Sequence, residues 1–429
     1  MNGNVRLLGM VAITTMMFAS CSNDELKEVY KGEEISFTTQ VKTRATETTL
    51  KNLEGFYVYA KADNYADMFI NGQEAKKDKE SNNGFTITDK DGVGYLWPTG
   101  VDRINFWAYG PNNLNKDIFK AQIDNTKQNF TVALASSMEN GGTDQQDFIV
   151  AHKEVRKSDV SGGNIPLDFY HALSQICINA KCPDHANYNV YIKGAWLVNV
   201  HGNGTLAFKA SDKPEDESTA IDHMSWTSSV PTSYGAKLNN EDPLSGQNTS
   251  LIGFDMGDNK NNNLMLIPQN SQKKWDSKSN PKGAYIMLLC RIESIHNGAI
   301  HSGSSDSSTD GPVYEDKDKN KHYHQIFPVS TQWKKTQYAY TCVGIDADWK
   351  PNHKYIYNLV FCGQGSGAGL YPPKDLPENL PDIDGVEVVP TPDDKVGESV
   401  LDKPLSFTVS VGDWANGTTG NDDGNTNMD

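Results

Sequence analysis

Cys21 is the residue whose chemistry is set most directly by its neighbours. It follows an apolar stretch, residues 7–18, and the small residues Ala19 and Ser20. About twelve apolar residues are too few to span a bilayer, so we predict a secretory signal over residues 1–20. A cysteine directly after small residues has the form of a bacterial lipobox, which predicts cleavage before Cys21 and an N-terminal diacylated cysteine. The alternative is a plain signal peptide that ends beside a cysteine by chance.

The bond between Arg44 and Ala45 is a second place where covalent chemistry is expected. It ends the polar, basic segment Lys42-Thr43-Arg44, which separates two strand-like patterns. Local opening of such a segment costs little free energy, so a trypsin-like protease can reach it. We predict that cleavage there removes an N-terminal segment, residues 21–44.

The sequence contains no recognisable catalytic constellation. Residues 279–282 match the pattern S-x-x-K, but the motifs that accompany it are missing. No nucleotide-binding glycine motif occurs either. His171 has no nucleophile or carboxylate at a recognisable spacing, and we interpret it as a structural histidine at a domain junction. We therefore predict that the protein is not an enzyme and has no catalytic residue.

His322 and His324 form an H-x-H pair that deserves comparison with metal sites. On a strand both side chains would lie on the same face. A metal ion needs a third ligand, and none can be named from the sequence. Residues 89–92 look like the start of a calcium loop, but no glutamate closes it, so a β-turn is favoured. We therefore predict no metal site and no cofactor.

Five cysteines lie beyond Cys21. They are Cys177, Cys182, Cys290, Cys342 and Cys362. No two of them form a C-x-x-C pair, which argues against zinc and thioredoxin chemistry. Two of them end apolar runs, so we expect free cysteines buried in the core. A disulfide between any two of the five stays open as an alternative.

The charge of the chain excludes one class of partner. Its formal net charge is −16 and no basic stripe is visible, so we do not expect nucleic acid to bind. Aromatic residues are frequent, and Gly, Asn, Ser, Thr and Asp recur between short apolar runs, a composition typical of β-sandwich proteins. Trp226, Trp275 and Trp333 could stack on sugars, although such residues more often cover the ends of strands.

The apolar periodicity predicts strands and only short helices. At 429 residues the chain is long enough for two cores. The composition changes at residues 156–164, which indicates a linker between them. The predicted divisions are a first β domain at 45–160, a second at 165–370, a proline-rich linker at 371–404, a last strand at 405–414 and a disordered tail at 415–429. Proline-rich chain tends to be extended, so we expect the linker to carry the last strand away from the body.

A strand pattern near the start of the chain recurs near its end. Residues 35–41, ISFTTQV, reappear as residues 405–411, LSFTVSV. Both segments alternate at period two, which predicts half-buried strands. The pocket-filling positions are Ile35, Phe37, Thr39 and Val41 in the first copy and Leu405, Phe407, Val409 and Val411 in the second. We infer that the last strand of one chain replaces the removable first strand of a neighbour.

Several blocks of sequence occur along the chain in a consistent order and spacing. They are Cys21, Ile35–Val41 followed by Arg44-Ala45, Tyr95–Pro98, Asp147–Ala151, Phe169–Ile176, Leu264–Gln269, Trp349–Leu359 and Leu405–Trp414. Together they resemble the fimbrillin family, the type V pilins of Gram-negative anaerobes. The resemblance implies an all-β fold with two transthyretin-like β-sandwich domains in tandem. It also implies export as a lipoprotein, removal of the N-terminal segment by an arginine-specific protease, and polymerisation by strand exchange.

The expected role is therefore a structural pilus subunit or a tip adhesin at the cell surface. Its partners would be other fimbrillin-type subunits, with the outer membrane contacted through the lipid before processing. Family anchors keep their lipid and tend to lack the arginine site, so Arg44-Ala45 favours a polymerised subunit. The tail beyond Trp414 leaves a tip or accessory role open. The alternatives are a monomeric surface glycan-binding lipoprotein and a pilus anchor.

Overall fold

The structure, a computed structural model, describes residues 33–41, 48–49, 51–80, 83–208, 224–255, 260–300 and 311–414. This part of the chain consists of strands and connections, with one 3-10 helix at Lys157–Asp159. The all-β prediction is confirmed. Within the same ranges, no helix has the length and apolar character that crossing a bilayer requires.

The described strands are numbered in chain order. The first nine are β1 (Ser36–Val41), β2 (Gly55–Ala62), β3 (Ile70–Lys77), β4 (Gly84–Ile87), β5 (Arg103–Gly110), β6 (Phe119–Ile123), β7 (Gln128–Ala133), β8 (Ile149–Arg156) and β9 (Asn164–His171). The next nine are β10 (Ser174–Lys181), β11 (Tyr188–Phe208), β12 (Met224–Lys237), β13 (Thr249–Ile252), β14 (Phe254–Asp255), β15 (Lys260–Asn261), β16 (Leu264–Leu266), β17 (Gln269–Gln272) and β18 (Tyr285–Asn297). The last seven are β19 (Val313–Asp316), β20 (Lys321–Phe327), β21 (Gln337–Gly344), β22 (Ala347–Trp349), β23 (His353–Val360), β24 (Glu387–Val388) and β25 (Ser406–Asp413).

Seven strands near the start of the chain form a closed barrel, in the order β1-β4-β3-β2-β5-β8-β9. Their sequences alternate, as in β2, where Phe56, Val58 and Ala60 are buried and the residues between them are half-buried. Side chains on alternate positions of a strand point to opposite faces, so each strand sends one apolar row into the barrel. These rows form a core of their own, separate from the cores of the later strands.

The later strands form a two-sheet region. One sheet has the order β13-β10-β23-β25, with β16 also paired to β10. The other runs β19-β20-β18-β11-β7-β6, with β12 paired to β11 and β21 paired to β18. Their main core includes apolar side chains from both sheets. The hairpin β6–β7 falls inside the predicted first domain but pairs with β11, so it is part of the two-sheet region.

β18 is covered on both faces. Ile286, Leu288 and Cys290 belong to the main core between the sheets. Met287 and Leu289, on alternate positions, belong to a second cluster on the other side of the strand. A strand buried on both faces is a continuous apolar run, which explains the uninterrupted apolar sequence at this point.

Candidate assembly site

β1 is the strand that closes the barrel. It pairs antiparallel with β4, where Phe37 is opposite Phe85. It also pairs parallel with β9, where Phe37 is opposite Ile165. Both edges of β1 are therefore hydrogen-bonded to neighbours. Without this strand, β4 and β9 would each present an unpaired edge to the other.

The pocket-filling residues of the first copy point into the barrel core where the structure describes them. Ile35, Phe37 and Thr39 are each 1% exposed. The side chain of Val41 lies outside the described set. Among the described residues, the Thr39 hydroxyl has no hydrogen-bond partner. A buried hydroxyl of this kind lowers stability relative to an apolar group of the same shape.

Phe37 belongs to an aromatic cluster inside the barrel. Its ring meets Phe56 and Phe106 edge to face, with centroids 5.9 and 5.8 Å apart. Phe56 in turn contacts Phe85 and Phe169, each at 4.9 Å. Aromatic pairs in such geometries stabilise a core beyond the area they bury. Removal of β1 would therefore take a ring out of a continuous cluster.

The predicted lipidation and processing residues, Cys21, Arg44 and Ala45, lie outside the described residues. Val41 is the last residue of β1, and Thr48 is the next residue that the structure describes. The Thr48 backbone N–H donates to Oδ2 of Asp147 at 2.9 Å. The predicted cleavage site thus lies, in sequence, between a barrel strand and a residue bonded to Asp147, two residues before β8.

The last strand, β25, lies in the two-sheet region of its own chain. It pairs antiparallel with β23, and its second edge has no partner strand in the described structure. Leu405 and Val409 are buried, and Phe407 is half-buried against Tyr357 with ring centroids 6.0 Å apart. Val411 is 48% exposed. The strand therefore buries the alternate positions that the sequence pattern predicts, except for Val411.

The proline-rich segment 371–404 does not extend away from the body, contrary to our expectation. Five of its apolar side chains pack against the second cluster behind β18, namely Leu376, Leu380, Ile383, Val386 and Val396. The segment also contributes β24, which pairs with β21. The physical reason is the second apolar face of β18, which is stable only when something covers it.

His171 is the last residue of β9 and is buried where the barrel meets the two-sheet region. Its Nδ1 donates to Oδ1 of Asp147 at 2.8 Å, because a carboxylate oxygen accepts. The indole of Trp414 stacks on the imidazole with centroids 4.4 Å apart and an interplanar angle of 3°. Asn352 bonds both residues, accepting from the backbone N–H groups of His171 and Trp414. The structural interpretation of His171 agrees with this geometry, whereas the partner role of Trp414 was not predicted.

Comparison with known proteins identifies the family. A model of the fimbrillin-like family matches residues 43–302. The chain belongs to the fimbrillin-like family. No curated protein sequence matches it.

This fimbrillin-like chain is also similar to solved structures at low sequence identity. A fimbrial protein from Bacteroides vulgatus is 13% identical, over 88% of this chain and 99% of that one, with a TM-score of 0.46. A putative cell adhesion protein from Parabacteroides distasonis is 10% identical, over 89% of this chain and 100% of that one, with a TM-score of 0.42.

Other residues singled out in the fimbrillin-like sequence have structural surroundings. Trp275 is buried and so cannot stack on a sugar. The Trp333 indole N–H donates to Glu293 Oε1 at 3.0 Å, and its ring stacks on Tyr314 with centroids 4.6 Å apart. Asp89 Oδ1 accepts from the backbone N–H groups of two following residues, as in a turn.

The five cysteines beyond Cys21 are free and buried, as expected. The thiols of Cys182 and Cys362 lie within hydrogen-bonding reach of each other. A hydrogen bond from Cys362 lowers the pKa of Cys182. Burial raises the pKa of Cys290 and Cys342, so these two thiols remain protonated in the core.

Proposed function

We propose that this chain is a subunit of a fimbrium, in its shaft or at its tip, and that strand exchange joins it to its neighbours. Membership of the fimbrillin-like family supports a fimbrial or adhesive role, for which no catalysis is needed. The finer proposal has three steps. The chain is exported as a lipoprotein through Cys21, it is cut after Arg44 at the outer membrane, and the last strand of one subunit takes the place of β1 in the next.

The observation that carries this proposal is the position of β1 between two strands of the barrel. Loss of β1 leaves two ladders of unpaired N–H and C=O groups, and such edges favour pairing with another chain. β25 forms a ladder on one side only, with β23. A strand that leaves β23 and enters the vacated groove therefore gives up one ladder and gains two.

The side chains of the last strand suit the groove. Leu405, Phe407 and Val409 already form one apolar row, and in the proposed register they replace Ile35, Phe37 and Thr39. Strand addition derives affinity from main-chain hydrogen bonds and specificity from alternate side chains in pockets. Val409 would also replace the Thr39 hydroxyl, which has no partner among the described residues.

An Arg44→Ala change is expected to block both processing and assembly. Surface material from the unchanged protein should begin at Ala45 on N-terminal sequencing, whereas the variant should retain residues before Arg44 and form no denaturant-resistant ladders on unboiled gels. Arg156→Ala, which alters an exposed arginine elsewhere, serves as the control and should assemble normally. Unchanged assembly of the Arg44→Ala variant would contradict the proposed order of cleavage and exchange.

A Cys21→Ala change is expected to abolish lipidation. The variant should incorporate no labelled fatty acid and should be lost from the membrane fraction, because a diacyl anchor contributes most of the membrane affinity of such a protein. Cys177→Ala is the matched control and should keep its label. If the unchanged protein takes up no fatty acid at any stage, the lipoprotein step is wrong.

A further inference from the structure

Three histidines converge on one face of the sheet that contains β18 and β20. His296 lies near the end of β18, and His322 and His324 lie on β20. His296 is directly opposite His322 in the antiparallel register, and His324 shares the face of His322 because the two are two residues apart. The three ring centroids are 5.1, 4.9 and 5.2 Å apart. His296 therefore supplies the third imidazole that the sequence did not reveal.

The geometry of the ring nitrogens resembles that of histidine ligands. One nitrogen from each of the three rings lies within 4.8 Å of the other two. Zinc–nitrogen bonds of about 2.0–2.1 Å place tetrahedral ligand atoms roughly 3.3 Å apart. The rings therefore need to approach by no more than about 1.5 Å, a movement that side-chain rotation supplies while the paired strands stay in place.

Backbone carbonyls orient two of the three rings. Nδ1 of His322 lies 3.0 Å from the carbonyl oxygen of Gly298, and Nδ1 of His324 lies 3.4 Å from that of Gly311. A carbonyl only accepts, so each Nδ1 carries the proton and each Nε2 holds the lone pair. Proteins orient metal-binding histidines in this way. At Gly311 the backbone is left-handed, and an added Cβ would lie 2.2 Å from the carbonyl oxygen of Gln325, so glycine is required there.

Burial and charge also suit a bound cation. His322 and His324 are 0% and 2% exposed, whereas His296 is half-buried and leaves one side of the cluster open. Glu315 on β19 is opposite His322 in register, which places its carboxylate on the same face of the sheet. The chain as a whole carries a formal net charge of −16.

We propose that His296, His322 and His324 bind a zinc ion, with a fourth position open to water. Neutral imidazole nitrogen suits Zn²⁺ and its neighbours Ni²⁺ and Cu²⁺, whereas Ca²⁺ and Mg²⁺ require oxygen ligands. The ion ties β18 to β20 at the end of their ladder, beyond the hydrogen bonds that already join them. This site lies in the two-sheet region and does not depend on the proposed strand exchange.

The test is a zinc titration of the purified protein, prepared without a polyhistidine tag and monitored by competition with a chromophoric chelator. We expect one Zn²⁺ per chain and no competition by Ca²⁺ or Mg²⁺. His296→Asn should weaken zinc binding on the order of 100-fold. Loss of a residue that only hydrogen-bonds a metal ligand costs up to about 100-fold in affinity, and loss of the ligand itself should cost at least as much. His185→Asn, at an exposed histidine outside the cluster, should bind like the unchanged protein.

Two further measurements separate metal binding from folding. Zinc should raise the melting temperature of the unchanged protein and of His185→Asn, because a ligand that binds only the folded state stabilises it. His296→Asn should melt like the unchanged protein in EDTA and should not respond to zinc. Co²⁺ bound in place of zinc should show ligand-field bands of a nitrogen and oxygen site without a thiolate charge-transfer band. Equal zinc affinity of the His296→Asn variant and the unchanged protein would overturn the proposal, as would a thiolate band.

Discussion

Replacing Phe37 by alanine is expected to lower the free energy of unfolding by about 3–5 kcal/mol, the usual range for a phenylalanine deleted from a core. The ring is 1% exposed and contacts two other phenylalanine rings. It also lies on the one strand that joins β4 to β9, so the cavity would form at the closure of the barrel. Urea unfolding of the uncleaved chain, followed by far-ultraviolet circular dichroism, measures the loss.

Thr39→Val is the matched variant on the same strand, and it should raise the free energy of unfolding where Phe37→Ala lowers it. Valine has nearly the shape of threonine, and the change removes a buried hydroxyl that has no partner among the described residues. We expect the free energy of unfolding to rise by about 1 kcal/mol. If Phe37→Ala lowers the free energy of unfolding by less than about 1 kcal/mol, β1 lies outside the cooperative core. The strand-exchange proposal would then fail, because loss of a strand that contributes little stability gives little driving force for another strand to replace it.

The sequence predicted the two similar strands because period-two alternation is a local signal. Ile35, Phe37 and Thr39 are buried as that signal requires, and so are Leu405 and Val409. The partners of these strands are set by pairings between distant parts of the chain. The closure of the barrel by β1 and the pairing of β25 with β23 therefore could not be predicted from alternation alone.

The proline-rich segment shows where a local argument gave the wrong geometry. Its prolines favour extended chain, which is compatible with packing as well as with projection into solvent. The missing information was the second apolar face of β18. The uninterrupted apolar run from Tyr285 to Cys290 predicts a core strand, but a strand buried on both faces also requires other residues to cover its second face. Leu376 and Leu380 belong to that cover.

The histidine cluster and the domain junction depend on strand register in the same way. His296 is far from His322 in sequence, and only the pairing of β18 with β20 brings them together. Trp414 reaches His171 because β25 ends beside Asn352. A sequence pattern could have identified H-x-H as half of a site, but the third member lies on another strand at an unpredictable offset.

Ending the chain after Asp402 is expected to abolish denaturant-resistant ladders in the Arg44-cleaved background. Relative to a strand fully exposed to water, four apolar side chains buried at about 1.5–3 kcal/mol each would contribute roughly 6–12 kcal/mol before ordering costs. Relative to the folded monomer the gain is smaller, because Leu405 and Val409 are already buried there. The truncation alone is ambiguous, however. It also removes β25 from its own sheet and Trp414 from His171, where the indole is buried. A monomer that no longer folds would give the same gel.

Val411→Asp separates the two explanations, because this residue has different surroundings in the two states. In its own chain Val411 is 48% exposed, so an aspartate there should leave the melting temperature of the monomer nearly unchanged. In the proposed complex the same residue takes the backbone position of Val41, opposite the buried Phe169 in the register with β9. A carboxylate placed among apolar side chains without a partner costs several kcal/mol. Ser410→Asp is the control, since Ser410 is exposed in β25 and points away from the pockets.

Three of the four apolar residues in the last strand already have partners in their own chain. Moving them into the groove of a neighbour therefore adds little stability. The additional stability comes from pairing on two sides of the groove and from burial of Val411. We therefore expect Val411→Asp to reduce the ladders by at least about tenfold, since each 1.4 kcal/mol lost is a factor of ten in affinity. Ser410→Asp should preserve them. Equal ladders from both variants would mean that residues 405–411 do not fill the groove of β1, and the joining strand would have to be sought elsewhere in the chain.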